Sequence, residues 1–599
     1  MKFAYGTSDF YDIITNAEFY VDRTDRIPLI EEIGKRLLFL RPRRFGKSLL
    51  LSMLENYYDV AKADQFEQLF GHLFIGQNPT PRHNRYLVLN WDFSAVISRG
   101  RPDDVQHSLH SHINGSIEQF KARYRDILDY NIGIHEHDAL RSFQSVLAAV
   151  QSSPYNLYLL IDEYDNFANE IMMGSQEAGK ARYESLLYGE GALKTVFKVI
   201  KSATKGLGLD RIFITGVSPV VMSDITSGHN IAENIYLYPE FHELCGFTEA
   251  EIAQPLDILI AQGCLPADKR EEALDMMRTF YNGSRFTYYK TPGADTFVYN
   301  PTLVIYFLKH ILRYHEYPRE ILDSNLAPDR AKIAYISRLP GGEKVVGAVL
   351  DEEQPLSIIK LAQRFGVREM LEIKDDIEFA ASLLYYLGVL TLTGIAPTGE
   401  LILDIPNLVV RRLYLEQLRE LLLPDFTQIN AERAAKTFYT TGDIQPLCEF
   451  MEQRYFRVFD NRDYRWANEL TVKTAFLTLL FNDAFYIMDS ERALERRYSD
   501  LTMIIRPDMR QYQLLDFLIE FKYVELKKNN LRNEQIRQMG REELAALAPV
   551  KACLKDARKS LAEYRKPLIE RYGEQLRLRV YSVVAVGFER MAWEDVTNF

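Results

Sequence analysis

The sequence predicts a multidomain α/β chain, built on parallel sheet flanked by helices, and three observations carry that prediction. A short apolar run, Leu37–Leu40, leads through a polar loop into apolar residues at helical spacing over Leu49–Tyr58. A second apolar run, "YNLYLLIDEYDNF" from Tyr155 to Phe167, reads as a strand that meets adjacent acids at Asp162 and Glu163. A third, "LLDFLIEFKYVELKK" from Leu514 to Lys528, carries Glu520 and Lys522 on either side of Phe521.

The totals bound the answer. At 599 residues the chain exceeds what one core serves, so three or four domains are expected. Apolar and charged fractions of 47% and 26% are those of ordinary soluble protein. No apolar run approaches the roughly 20 residues that cross a bilayer, and "MKFAYGTSDF" lacks a signal-peptide layout. A cytoplasmic protein with no membrane partner is therefore expected. Cys245, Cys264, Cys448 and Cys553 show no metal-ligand spacing and read as buried thiols. A net charge of -11 excludes a protein that coats nucleic acid over its whole surface and leaves room for a local basic groove.

The loop "RPRRFGKS" joins the first strand to the first helix. A phosphate loop needs inward backbone N–H groups at a helix N-terminus, a lysine for the outer phosphates and a hydroxyl for magnesium. Gly46, Lys47 and Ser48 supply the last glycine, the cation and the hydroxyl, while Arg41 stands where the motif usually opens on glycine. Pro42 presets the backbone there. Asp162 follows Lys47 by about 115 residues and is the expected magnesium partner of Ser48, with Glu163 to polarise the attacking water. Arg43, Arg44, Phe45, Gly46, Lys47, Ser48 and Leu49 form the expected ATP-contacting run. For Arg43 and Arg44 two readings stand, phosphate contact or pairing elsewhere. A third strand, Arg211–Pro219, follows a helical stretch around 183–204; Thr215 or Ser218 at its end is either a phosphate sensor or a turn cap, and Thr215 is taken as nucleotide-contacting.

Taken together, "FYVDRTDRIPLIEE", "RPRRFGKSLLLSML", "LLIDEYDN", "ITGVSPVVMSDITSGHNIAENIYLYPEFHELCGFTEAEI", "YNGSRF" and "VYNPTLV" resemble the bacterial AAA-ATPase-like family commonly fused to a PD-(D/E)XK nuclease-like domain. The resemblance covers about Tyr5 to Phe307 and resumes over about Glu469 to Phe588. It implies a P-loop NTPase fold with a catalytic glutamate, and "RPRRFGK" as the usual form of the loop. It also implies a helical lid from Thr248, where Thr248 and Glu251 have capping-box spacing. Arg285 in "YNGSRF" reads as a nucleotide contact from the lid or as a buried corner. Residues 376–418 read as helix, strand, turn at Pro397–Gly399, strand and helix, the order of a winged-helix unit. Few basic residues lie on its recognition helix, so packing rather than DNA binding is expected of it.

The last third carries different chemistry. Residues two apart on a strand share a face, so Glu520 and Lys522 are presented side by side. Asp500 enters the preceding apolar strand, and Glu469 opens the helical stretch "NELTVKTAFLTLLF". Acid, acid, then Glu-x-Lys is the order of the PD-(D/E)XK, restriction-endonuclease-like α/β core. Asp500 and Glu520 would hold Mg2+ through oxygen, Lys522 would be the catalytic cation and Glu469 a helper. The alternative is a surface ion pair. Two departures from the family pattern stand out: a charged insertion between Glu525 and Ala557, and Ser560 where a glutamine usually falls. Positive charge over Lys527–Arg541 reads either as a backbone-tracking groove or as a solvated face.

The expected layout is residues 1–246 as the ATPase domain, 247–324 the helical lid, 325–425 the winged-helix-like unit and 426–599 the nuclease-like domain. The expected function is an ATP-binding and ATP-hydrolysing protein whose nucleotide state regulates a magnesium-dependent nuclease acting on DNA or RNA. By family analogy the role is defence or mobile-element biology. The alternatives are a nucleotide-operated switch that binds nucleic acid or a partner without cleaving it, and an inert scaffold. Oligomerisation is open.

Overall fold

A computed structural model describes the chain except residues 98–100, 167–190, 220–231, 290–296, 323–344, 346–347, 350–354, 364, 366–375, 423–424, 457–468, 489–499 and 599. Parts of the helical stretch around 183–204, of the family-like run after Thr215 and of the 325–425 span therefore lie outside the described residues. The chain packs as two units. One comprises Met1–Glu316, Ala327–Val346 and Pro355–Pro406, the other Tyr317–Leu326, Gly347–Gln354 and Asn407–Phe599.

The first unit is built on five parallel strands, β1 (Arg36–Leu40), β2 (Tyr86–Asp92), β3 (Asn156–Asp162), β4 (Leu209–Gly216) and β5 (Glu233–Asn234), in the order β2-β3-β4-β1-β5. Near-continuous burial of β1, β3 and β4 reflects a sheet covered on both faces. The helix Lys47–Tyr58 buries Leu50, Met53, Leu54 and Tyr57 at helical spacing. Each such side chain stabilises by about 1.5–3 kcal/mol. The helix Ala139–Gln151 is stopped at its start by Asp138, whose carboxylate accepts from Arg141 N, and it buries Phe143, Val146, Leu147 and Val150. Because β4 lies between β3 and β1, Thr215 at its end stands between the loop after β1 and the acid at the end of β3.

Arg41 has no solvent to turn to, being 1% exposed. Its guanidinium donates to the carbonyls of Leu40 (2.8 Å), Tyr236 (2.8 Å) and Phe241 (2.6 Å), and lies over the rings of Phe39 and Phe286 at 4.4 and 4.2 Å. None of these hydrogen bonds goes to a carboxylate. Burial pulls its pKa down to about 10, which still leaves it charged near neutral pH. Arg41 therefore staples the end of β1 to the 236–241 segment and to the "YNGSRF" turn.

Helices Glu249–Ala261, Arg270–Tyr281 and Pro301–Tyr314 follow. The first carries the expected capping box, with Thr248 N donating to Glu251 Oε2 at 2.8 Å. The last starts at Asn300, which accepts from Thr302 N and Leu303 N, followed by Pro301 at the first helical position. Arg23 also grips Glu251, at Oε2 over 2.8 Å and at Oε1, and donates to the Gly246 carbonyl. Strand β6 (Leu356–Ile358) precedes the helix Ile377–Tyr386 and, with β7 (Thr391–Ile395) and β8 (Leu401–Asp404) after it, forms an antiparallel sheet in the order β6-β8-β7. Gly399, at φ 91, makes the β7–β8 turn. The next helix, Leu408–Leu422, belongs to the second unit, so the break falls at Pro406/Asn407, inside the 325–425 span. The reason is packing: Leu415 joins the second unit's apolar cluster, and Arg412 pairs with Asp483 at 3.0 Å.

The second unit holds a mixed sheet of β9 (Tyr486–Ile487), β10 (Leu501–Ile505), β11 (Asp516–Val524), β12 (Leu578–Val586) and β13 (Arg590–Asp595), in the order β13-β12-β11-β10-β9. Only β11 and β12 pair in parallel. Alternation sorts the strands' side chains. Phe517, Ile519, Phe521, Tyr581 and Val583 join Phe438 and Phe476 in one cluster, with Phe438 stacked on Phe517 at 4.0 Å. Leu518, Val580 and Ile504 meet Leu561 and Leu568 of the helix Ala548–Tyr572 on the opposite face.

Restoring the missing motif glycine is expected to harm this protein. Arg41→Gly strips three carbonyls of their donors and empties the space between two rings, so unfolding in urea should show a loss of about 3–5 kcal/mol. Glu251 is raised by burial, but the hydrogen bonds and charge of Arg23 outweigh this and hold its carboxyl below the ordinary value. A depressed pKa gives stability that is present above the unfolded value, about 4.3, and lost as pH falls through the folded one. Glu251→Gln should thus cost about 1 kcal/mol at pH 7, allowing for partial exposure, and that deficit should shrink on acidification below pH 4.

Candidate functional site

The loop after β1 takes its turn late. Positive φ angles fall at Arg44 (69°) and Gly46 (98°), while Arg41 needs no left-handed backbone. This is why an arginine can stand where the motif usually opens on glycine. Gly46 caps the helix Lys47–Tyr58, among the described residues no side chain bonds the helix's first N–H groups, and the space a Cβ would take at Gly46 is open. Such a helix start is a cradle for an anion.

Lys47 is buried, with Nζ donating to the Pro42 carbonyl at 3.2 Å. Ser48 Oγ donates to Asp162 Oδ2 at 2.5 Å. Thr215 Oγ1 and Glu163 N donate to Asp162 Oδ1, the latter at 2.9 Å. A hydroxyl and a carboxylate oxygen in contact are the hard-oxygen pair that suits magnesium, so these residues fit the ion. Glu163 has φ 47°, uncommon for a residue with a side chain. Burial raises its pKa, and the charges of Lys47 and then Arg43 oppose that rise.

The rest of the loop divides by side chain. Arg43 bonds Asn166 Oδ1, and Asn166 Nδ2 in turn donates to the Ser94 carbonyl at 3.2 Å. The Arg44 carbonyl accepts from Thr302 Oγ1 at 3.2 Å. Phe45 turns into the core against Phe286, ring centroids 5.2 Å apart, and Leu49 packs on the same apolar cluster. Both were expected among the nucleotide contacts. Their side chains answer to the core instead, which leaves their backbone N–H groups as the only parts for phosphate. Of the two sensor candidates, Thr215 meets Asp162, whereas Ser218 Oγ donates to Asp165 Oδ2 at 2.9 Å and closes a turn. Arg285 sits at a corner, its N–H donating to Thr391 Oγ1 and its carbonyl accepting from Tyr385.

The second site lies on the mixed sheet. Antiparallel pairing of Leu501 with Ile519 brings Asp500, one residue before β10, opposite Glu520. Lys522 Nζ donates to Glu520 Oε1 at 3.2 Å and to Glu469 Oε1 at 2.9 Å. Asp500 Oδ2 accepts from Phe521 N at 2.7 Å, and its Oδ1 lies 3.9 Å from Lys473 Nζ. Burial, then the charge of Asp500, pushes Glu520 up to about 8. Burial also lifts Asp500 to about 6 against the pull of Lys473. Lys522 is lowered by burial, but Glu520 and Glu469 outweigh that and keep it protonated. Facing carboxylates each oppose the other's ionisation.

Among the described residues no group of three or more His, Cys, Asp or Glu side chains is arranged to hold a metal. Asp500 and Glu520 face each other as a pair, and Glu469 is turned to Lys522. Glu520 is 5% exposed and its Oε2 has no hydrogen-bond partner among the described residues. An uncommitted buried carboxylate oxygen fits a hard divalent ion, magnesium being commonly held by one or two carboxylates with water.

Sequence reasoning missed Lys473, one helical turn after Glu469, and Tyr564, one turn after Ser560. Tyr564 is raised by burial and then by the charges of Glu520 and Asp500, and it bonds Ser560. The i, i+4 spacing was the available signal for each. The basic run is partly spent within the protein: Arg537 bonds Glu589, while Arg541 pairs with Glu449 at 3.1 Å and lies 4.0 Å over Trp593.

Residues 4–226 match the family model described as "Predicted AAA-ATPase", a span that contains the loop, Asp162, Glu163 and Thr215. "Uncharacterized protein in vnfD 5'region" from Azotobacter chroococcum mcd 1 is 25% identical over 306 residues, 49% of this chain and 49% of that protein. The chain thus spans about half the length of this curated relative. Among solved structures, that of the Aeropyrum pernix ORC1 protein in complex with DNA is similar at a TM-score of 0.26 and 13% identity, over 67% of this chain and 95% of that one. Among the described residues no helix is long and apolar enough to cross a membrane. Residues 4–226 are an AAA-ATPase-like domain within an α/β fold of parallel sheet and flanking helices.

Proposed function

We propose that the chain is an ATP-binding and ATP-hydrolysing protein whose second unit is a magnesium-dependent nuclease of the PD-(D/E)XK kind, with nucleotide state regulating cleavage of DNA or RNA. One observation carries the nuclease reading: Asp500 faces Glu520 across two strands, Lys522 stands two residues on, and a buried Glu520 oxygen is uncommitted.

Asp500 and Glu520 would hold the ion through oxygen. When bound, it supplies a more acidic water and charge to offset that developing on an attacked phosphodiester. Lys522, held protonated by Glu469 and Glu520, brings an ammonium to the phosphate oxygens. Lys473 steadies Asp500 from the helix side.

In the first unit, Lys47 exchanges the Pro42 carbonyl for the outer phosphates of ATP, and the N–H groups from Gly46 to Leu49 cradle them. Ser48 and Asp162 would hold magnesium, Thr215 fixes the Asp162 carboxylate, and Glu163 orients the attacking water. Arg43 would exchange Asn166 for a phosphate oxygen if it takes part. A second reading, a switch that binds without cleaving, is favoured by the internal pairing of Arg537 and Arg541, which weakens any nucleic-acid groove beside the site.

Lys522→Ala should lower magnesium-dependent cleavage of single- and double-stranded DNA and RNA by about 10²–10³-fold, as removal of a charge-stabilising group does. Cleavage at the parent rate by that variant would remove the nuclease assignment. Lys47→Ala should lower ATP hydrolysis by at least about 10²-fold. Cleavage by that variant, compared with and without ATP, reads regulation: an ATP response equal to the parent's would uncouple the two activities.

A further inference from the structure

We infer that Ser582 is a third oxygen ligand of the cation held by Asp500 and Glu520. The inference rests on the metal-site reading proposed above and deepens it. Parallel pairing of β11 with β12 makes Ser582 the Cα partner of Glu520. Strands in register present paired residues on one face, with backbones about 4.8 Å apart. Asp500, Glu520 and Ser582 therefore form a row across three neighbouring strands.

The row, with Lys522 beside Glu520 and Glu594 beside Ser582, breaks a face that is apolar to either side. Leu518 and Val580 flank it on one side, Val524, Val584 and Val586 on the other, and the helix Ala548–Tyr572 covers this face. Ser582 is fully buried, and its hydroxyl has no hydrogen-bond partner among the described residues. Glu520 Oε2 beside it is in the same condition. Alanine or valine would fill this position without stranding a hydroxyl, so packing gives serine no purpose here. Two uncommitted oxygens on paired strands, with Asp500 in the same row, are explained together by one shared guest. A hard divalent cation takes such oxygens, and a neutral hydroxyl completes its sphere without adding negative charge to a site that already holds three acids.

The test is Mn2+ binding, followed by electron paramagnetic resonance on the full chain without nucleotide. An Asp162→Asn and Cys553→Ala background silences the first site and a neighbouring thiol. Ser582→Ala should bind Mn2+ at least about tenfold more weakly, while melting in EDTA at the parent temperature or above it, because it removes an unsatisfied buried hydroxyl. Ser582→Cys should shift preference from Mn2+ toward the softer Cd2+ by about tenfold or more, which happens only if this side chain touches the ion. Should Ser582→Ala fail to fold, the cysteine variant carries the test. Glu520→Gln separates the two claims. If it loses Mn2+ while both Ser582 variants keep parent affinities, Ser582 is no ligand and the metal site stands. If Glu520→Gln and both Ser582 variants all leave Mn2+ binding unchanged, the metal site falls and the inference with it.

Discussion

A charge taken out of water has to be met by donors or acceptors within about 3 Å, or its burial is costly, and this chain is organised by where that demand is met. Three buried arginines meet it largely with backbone carbonyls. Arg41 ties the end of β1 to residues 236–241, Arg211 on β4 reaches the carbonyls of Glu31 and Gly34, and Arg506 reaches those of Pro318, Arg319 and Asp483. Carbonyls accept without carrying a full charge, so each guanidinium can gather several chain segments at once. Arginine suits the task because its planar fork presents five donors in fixed directions.

The two candidate sites answer the same demand in opposite ways. Asp162 is fully engaged, its oxygens claimed by Ser48, Thr215 and the Glu163 backbone. Left-handed backbone at Arg44, Gly46 and Glu163 shapes the turn around it. Glu520 is under-engaged by contrast. One oxygen has Lys522, the other has no partner among the described residues, and the facing Asp500 opposes its ionisation. A carboxylate in that state is what the metal-site proposal rests on.

What could be read from the chain was local. The strand, loop and helix over residues 36–58 follow from an apolar run of four and from apolar residues at helical spacing. The capping box at Thr248 and Glu251 and the turn before Leu401 are likewise short-range signals, and all are present. Motif membership says nothing about which way a side chain turns, and the core took those of Phe45 and Leu49. The division at Pro406/Asn407 was hidden for a similar reason. The helix Leu408–Leu422 continues a winged-helix order in sequence, yet Leu415 and Arg412 find their partners in the second unit.

By itself the sequence determined the parallel-sheet architecture of the first unit and the residue types gathered at the ends of its strands, since periodicity and loop chemistry act over a few residues. It also determined that Glu520 and Lys522 share a strand face. Only the tertiary structure decided what meets them. That Asp500 lies opposite Glu520, that Ser582 pairs with it from the other side and that Lys473 and Tyr564 close in from two helices depend on strand register and helix packing. Register joins residues 20 and 62 positions apart, and a shift of one residue would have turned a strand's side chain to the other face.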